Sequence, residues 1–187
     1  EEQEARIEAE MAGLKAILGD AIYSDQDDRL EKCIGRMLAR NGKTVSAAES
    51  CTGGLISSLF TSIPGSSEYY LGSVTSYANS VKTGVLGVPS EIIEKHGAVS
   101  SECVAAMAEG VRRITGSDFS VATSGIAGPG GGSEAKPVGT VWIGVSSTKG
   151  TKTYKMIFKG DRKRNIDRFA ANALNILRVT IVNDLNS

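Results

Sequence analysis

Ser50 and Cys51 are the nucleophilic side chains best placed to do chemistry. They fall in the stretch Thr44-Val45-Ser46-Ala47-Ala48-Glu49-Ser50-Cys51-Thr52-Gly53-Gly54. This reads as a short buried strand running into a turn, with a helix from about Leu55 capped by Thr52 or a neighbour. Such junctions are where α/β proteins put chemistry, because loop backbone there is free to face a ligand. Gly53 and Gly54 let that backbone come close. The helix start leaves N–H groups unpaired and carries partial positive charge, so a Ser50 hydroxyl would stand beside donors for an oxyanion or a phosphate. On this stretch alone the plainer reading, a turn with serine and threonine as helix caps, is the stronger one. Cys51 ranks below Ser50, since a thiol in a buried turn can simply pack.

A serine nucleophile needs a base, and the usual one is missing. The single histidine, His96, stands beside Gly97 at a helix end, where it more naturally meets helix carbonyls. Glu49-Ser50-Cys51-Thr52-Gly53 lacks the first glycine of a nucleophile elbow. No Walker loop, no dinucleotide fingerprint and no metal-ligand spacing is present, so the expected site uses neither metal nor cofactor. Lysine can act as base when burial lowers its pKa. Lys82 lies in the apolar setting Val81-Lys82-Thr83-Gly84-Val85-Leu86, five residues after Tyr77, which closes a strand. In a parallel sheet the strand ends at Ser50 and Tyr77 share one edge, so hydroxyl, phenol and amine could converge. By spacing alone, a solvated Lys82 and a rim aromatic at Tyr77 are the stronger readings. A third strand ends on the same edge in Ser124-Gly125-Ile126-Ala127-Gly128-Pro129-Gly130-Gly131-Gly132-Ser133, whose amides could hold an anion. Arg162 opens the last helix against its dipole, which suggests an anionic partner or a plain surface charge.

The elements that must position these groups follow from periodicity. Ile7, Met11, Leu14, Ile17 and Leu18 give an amphipathic first helix. It packs on the main domain, on a second copy or on an upstream region. A soft boundary falls near Ser24, so residues 1–24 read as a helix and linker and 25–187 as one domain. A second helix spans 25–39, with Leu30, Cys33, Ile34, Met37 and Leu38 as its stripe. A strand at 69–77 leads to a short helix capped by Asn79, then another capped by Ser90. A long helix from Ser100 or Ser101 to Gly116 carries Val104, Ala105, Met107, Ala108, Val111 and Ile114. Strands follow at 119–123, 137–146 and 151–158, the last two joined by a hairpin. A final helix runs from Gly160-Asp161 to about Val182. This order predicts a three-layer α/β/α sandwich, with early strands parallel through helical crossovers and one later strand antiparallel.

Bulk properties narrow the partners. The 187 residues are 41% hydrophobic and 22% charged, with 21 basic and 21 acidic side chains and no net charge. That suits a soluble protein and gives no electrostatic case for nucleic acid. Aromatics at 5% weaken base stacking too. Three scattered cysteines fit a reducing cytoplasm. No apolar run is long enough to span a bilayer, so no membrane partner is expected.

Residues 25–185 resemble the C-terminal domain of competence-damage-inducible protein CinA, whose stand-alone relatives are nicotinamide-nucleotide amidohydrolases. The resemblance rests on Ala48-Glu49-Ser50-Cys51-Thr52-Gly53-Gly54, Pro64-Gly65-Ser66-Ser67, Tyr77-Ala78-Asn79 with Lys82, and His96-Gly97-Ala98-Val99-Ser100. It continues through Ser124-Gly125-Ile126-Ala127-Gly128-Pro129 with Gly131-Gly132, Lys136-Pro137-Val138-Gly139-Thr140-Val141, and Gly160-Asp161-Arg162. It implies a sandwich over a mixed, mostly parallel five-stranded sheet with one antiparallel strand. It also implies hydrolysis of the carboxamide of nicotinamide mononucleotide, a small-molecule nucleotide, with Ser50 as nucleophile and Tyr77 and Lys82 as its partners. Thr52, Gly53, Gly54, Ser124, Gly125, Ile126, Ala127, Gly128 and Arg162 match positions around the substrate. Many members carry an upstream molybdopterin-binding-like domain with a second activity. The acidic first helix looks like the tail of such a region, and that activity is not assigned here. Relatives often carry another arginine four or five residues after Gly160-Asp161-Arg162, where this chain has Ile166 and Asp167, so a second phosphate contact is left without its residue. The alternative is a non-catalytic nucleotide-binding or regulatory module. The first helix and the small-residue face of 104–114 suggest a homo-oligomer.

Overall fold

The computed structural model describes residues 2–19, 22–24 and 28–187. Five strands form one mixed sheet: β1 (Val45–Glu49), β2 (Tyr70–Thr75), β3 (Phe119–Gly125), β4 (Thr140–Ser147) and β5 (Gly150–Ile157), in the order β2-β1-β3-β4-β5. β1 pairs in parallel with both β2 and β3, and β4 runs antiparallel to β3 and β5. Only β4 is reversed, because a tight hairpin joins it to β5 while helical crossovers join β1, β2 and β3.

The helices flank the sheet on both faces. On one face lie α2 (Leu30–Arg40), α3 (Leu55–Thr61) and α7 (Arg162–Leu185). Ile34, Leu38, Ile56, Phe60, Phe169 and Leu177 pack there on Val45, Ala47, Val121 and Ile143. On the other face, α4 (Asn79–Gly84) and α5 (Ser90–His96) lead into α6 (Ser101–Thr115). Val104, Met107, Ala108 and Val111 of α6 pack there on Ala48 and Ala122. Ala47 and Ala48 serve opposite cores because strand side chains alternate. β1 is buried along its whole length, as a strand covered on both faces must be. Glycine sets how close α6 sits: a Cβ on Gly144 would come within 2.7 Å of the Val104 carbonyl oxygen.

Several local expectations shift. The second helix begins at Leu30, with Arg29 extended as its N-cap, and not at Asp25; residues 25–27 lie outside the described residues. Ala78 and Pro89, without side-chain bonds, cap α4 and α5 in place of Asn79 and Ser90. β4 begins at Thr140 because Gly139, at φ 93°, turns the chain first. Ile114 is exposed, and Cys103 and Gly110 complete the buried face of α6 instead. Asp161 and Ser100 cap α7 and α6, accepting from the amides of Arg164 and Cys103. α1 (Glu2–Leu18) forms, but none of its residues is buried. Its apolar stripe therefore does not pack on the main domain.

Candidate active site

The site lies where three parallel strands end together. Glu49, the last residue of β1, sits opposite Thr75 on one side and Thr123 on the other. Ser50, Ser76 with Tyr77, and Ser124 with Gly125 therefore emerge on a single rim. The crossover from β1 to β2 carries α3 on one face, while that from β2 to β3 carries α4 to α6 on the other. The chain thus reverses direction at β1, and such a switch opens a crevice at the carboxyl ends of the strands.

Lys82 crosses this rim from α4. It is only 1% exposed, and its Nζ lies 3.2 Å from Ser50 Oγ, 2.6 Å from the Ser76 carbonyl oxygen and 3.3 Å from the Tyr77 carbonyl oxygen. Among the described residues it makes no ion pair. Burial therefore holds its pKa below the ordinary lysine value. As placed, the amine donates to Ser50 Oγ and to the two carbonyls. When neutral it keeps two N–H groups on the carbonyls, which can only accept, and its lone pair is then free to take the Ser50 hydroxyl proton.

The start of α3 is arranged differently from the expected cap. Gly54, at φ 101°, is its N-cap and contributes no side chain. The fully buried Glu49 carboxylate reaches from β1 and accepts from the amides of Gly54 at 3.0 Å, Ile56 at 3.0 Å and Ser57 at 2.8 Å. Thr52 instead pairs with Thr123, Oγ1 to Oγ1, at 2.8 Å beneath the turn. Gly53, at φ 62°, donates to Ser50 O, and Leu55 donates to Thr52 O. The helix-start amides are thus already satisfied, and an oxyanion cannot use them. Among the described residues, the Cys51 and Thr52 amides bond to no oxygen. Cys51 itself is buried, and desolvation pushes its thiol up to about 12, which leaves it protonated and unreactive.

The far wall is the glycine loop held by α7. Arg162 donates from Nη1 to Gly128 O at 2.8 Å and from Nη2 to the Tyr77 hydroxyl at 3.2 Å. Asn165, wholly buried, donates from Nδ2 to Ala127 O and to Gly160 O, each at 3.0 Å. Gly125 packs where a Cβ would meet Thr140 O at 2.6 Å. Ile126 bonds through its backbone to Thr140 and Gly139, continuing the β3–β4 pairing. Ser50, Cys51, Tyr77, Gly125, Ala127 and Arg162 line a hollow of about 180 Å³.

The structure thus gathers Ser50, Lys82, Tyr77, Gly125, Ala127, Gly128 and Arg162 at one place. Two placements are different. The Tyr77 side chain is 64% exposed, with Arg162 as hydrogen-bond partner rather than Ser50 or Lys82. The Ser124 hydroxyl turns to the opposite face and donates to Ala98 O at 2.7 Å. Sequence reasoning gave no role to Glu49, Thr123 or Asn165. Asn165 left one signal, an amide at a stripe position otherwise filled by Phe169, Ala173 and Leu177.

Fold and site together define an α/β/α protein with a serine–lysine pair at the switch of its sheet. The chain belongs to the CinA C-terminal domain family, which matches residues 27–181. It is 47% identical over 172 residues to a CinA-like protein of Desulfotalea psychrophila, covering 92% of this chain and 42% of that protein. It is 50% identical over 165 residues to a CinA-like protein of Fervidobacterium nodosum, covering 88% and 40%. The chain therefore spans about two fifths of the length of these relatives. Among solved structures, it is similar to competence damage-inducible protein A from Klebsiella pneumoniae, with TM-score 0.77 and 34% identity over 79% of this chain and 92% of that one. It is also similar to a competence/damage inducible protein from Agrobacterium tumefaciens, with TM-score 0.79 and 36% identity over 81% and 93%.

Proposed function

We propose that the chain is an amidohydrolase that converts nicotinamide mononucleotide and water to nicotinic acid mononucleotide and ammonia, in pyridine-nucleotide recycling. The observation that carries this reading is the buried Lys82 amine, 3.2 Å from Ser50 Oγ and without an acidic partner among the described residues. A binding module has no need of a desolvated amine aimed at a hydroxyl, whereas an amidase without histidine does.

Lys82 takes the Ser50 proton as Oγ bonds to the carboxamide carbon, and the carbonyl π electrons move onto oxygen. The tetrahedral oxyanion collapses, the C–N bond breaks, and Lys82 returns the proton to the departing ammonia. Water then attacks the acyl ester, with Lys82 accepting its proton and passing it back to Ser50. The hollow of about 180 Å³ is smaller than the roughly 300–1,000 Å³ of whole-ligand pockets, which fits a pyridine carboxamide seated inside and a sugar phosphate lying across the rim. Arg162, at that rim, carries the charge a phosphate requires.

The test is ammonia release from nicotinamide mononucleotide by purified protein. Ser50→Ala should lower turnover at least about 10³-fold with an unchanged circular dichroism spectrum. Near-normal turnover in that variant removes serine from the role. Binding of the nucleotide by the wild type without turnover supports the regulatory module instead.

A further inference from the structure

We propose that Asn165 is a positioning residue, which fixes the Ala127–Gly128 peptide so that the Gly128 N–H faces the Ser50 hollow and joins the Cys51 N–H in holding the oxyanion. The proposal rests on the amidase reading above. An amidase gains from donors preorganised at the developing negative charge, and Glu49 has taken up the amides at the start of α3. The amides of Cys51, which lines the hollow, and of Gly128, next to the lining residue Ala127, donate to no oxygen among the described residues.

Asn165 decides where the second of these points. Its amide nitrogen holds Ala127 O from the α7 side, and across a trans peptide the N–H points opposite to the carbonyl. The Gly128 N–H is therefore turned away from α7. Arg162 holds the next carbonyl, Gly128 O, from the same helix. Two successive carbonyls are drawn toward α7, and turning the Ala127–Gly128 amide the other way breaks the Asn165 contact. Only glycine fits at 128, with φ 92° and Val138 Cγ1 at 2.6 Å from where a Cβ would stand. The Asn165 side chain is fully buried and faces no solvent, so it acts through the loop.

The assay compares wild type, Asn165→Leu and Asn165→Asp on nicotinamide mononucleotide, with kcat expressed per folded molecule from thermal melts at each pH. Leucine is the residue a buried helix stripe would ordinarily hold, so a packing role predicts a fully active Asn165→Leu. Positioning predicts that its kcat falls about 10- to 100-fold at every pH, with KM within about twofold. In Asn165→Asp a carboxylate faces two carbonyls and cannot donate. Its activity relative to wild type should recover as pH falls and the buried acid regains a proton to offer Ala127 O. Wild-type kcat per folded molecule in the leucine variant, or a loss confined to KM, overturns the positioning role while leaving the amidase reading intact. An inactive wild type overturns the amidase reading and, with it, this role.

Discussion

On the amidase reading, Lys82, which makes no ion pair among the described residues, is a titrating switch for its own site. Lys82 can accept the Ser50 proton only when neutral, and burial lowers its pKa from the ordinary 10.5. kcat/KM should therefore rise with pH and level off before 10.5, while Cys51, at about 12, stays protonated throughout. Stability follows the same group. Between its folded-state pKa and 10.5 the unfolded chain binds a proton at this lysine that the folded chain does not, so the Lys82 contribution to stability should increase with pH across that window and be flat below it, against the opposite slope of the buried Cys51 thiol. The difference between urea titrations of wild type and Lys82→Met over this range checks the sign, because the variant lacks this contribution alone. Tyr77 is a second case at this scale. Its phenol accepts from Arg162, and only its carbonyl meets Lys82. Tyr77→Phe should thus leave kcat within a few-fold and raise KM by up to about tenfold. A proton relay through the phenol would instead cost kcat about 10²- to 10⁴-fold.

At the scale of elements, α3 is a short helix tied to the sheet by one side chain. With seven residues it would not persist alone, and it begins at glycines that supply no cap. Glu49 compensates by accepting three of its amides from the end of β1. Glu49→Ala should leave these donors unpaired in a buried place and cost on the order of 3 kcal/mol, read from the urea midpoint. It should also loosen the turn that aims Ser50, so activity should fall further than folded fraction. α7 does the matching task on the other wall: its first turn, through Arg162 and Asn165, shapes a loop that belongs to β3.

At the scale of the whole molecule, the two cores share one sheet and α1 contributes to neither. No residue of α1 is buried, and Ile7, Ile17 and Leu18 are 63%, 80% and 50% exposed. A helix that buries nothing adds no hydrophobic stabilisation. Deleting residues 2–18 should leave the melting temperature and the turnover of the remaining domain unchanged, as calorimetry and the ammonia assay would register. Among the described residues, no helix is long and apolar enough to cross a membrane.

The sequence by itself determined the layers and the rim. Strand and helix periods are local properties, so β1, β3, α6 and α7 could be read from spacing, and parallel pairing then forces Ser50, Tyr77 and Gly125 onto one edge. It also carried the family match, through short ordered runs from Ala48 to Arg162. The tertiary structure decided how those groups face one another. Whether Lys82 is solvated or buried depends on what packs over α4. Whether the α3 amides are free depends on a Glu49 rotamer. Whether Tyr77 meets Ser50 or Arg162 depends on how α7 docks. Each is a choice between partners distant in the chain, and periodicity holds no information about such choices because burial and hydrogen-bond competition are settled only once the layers close.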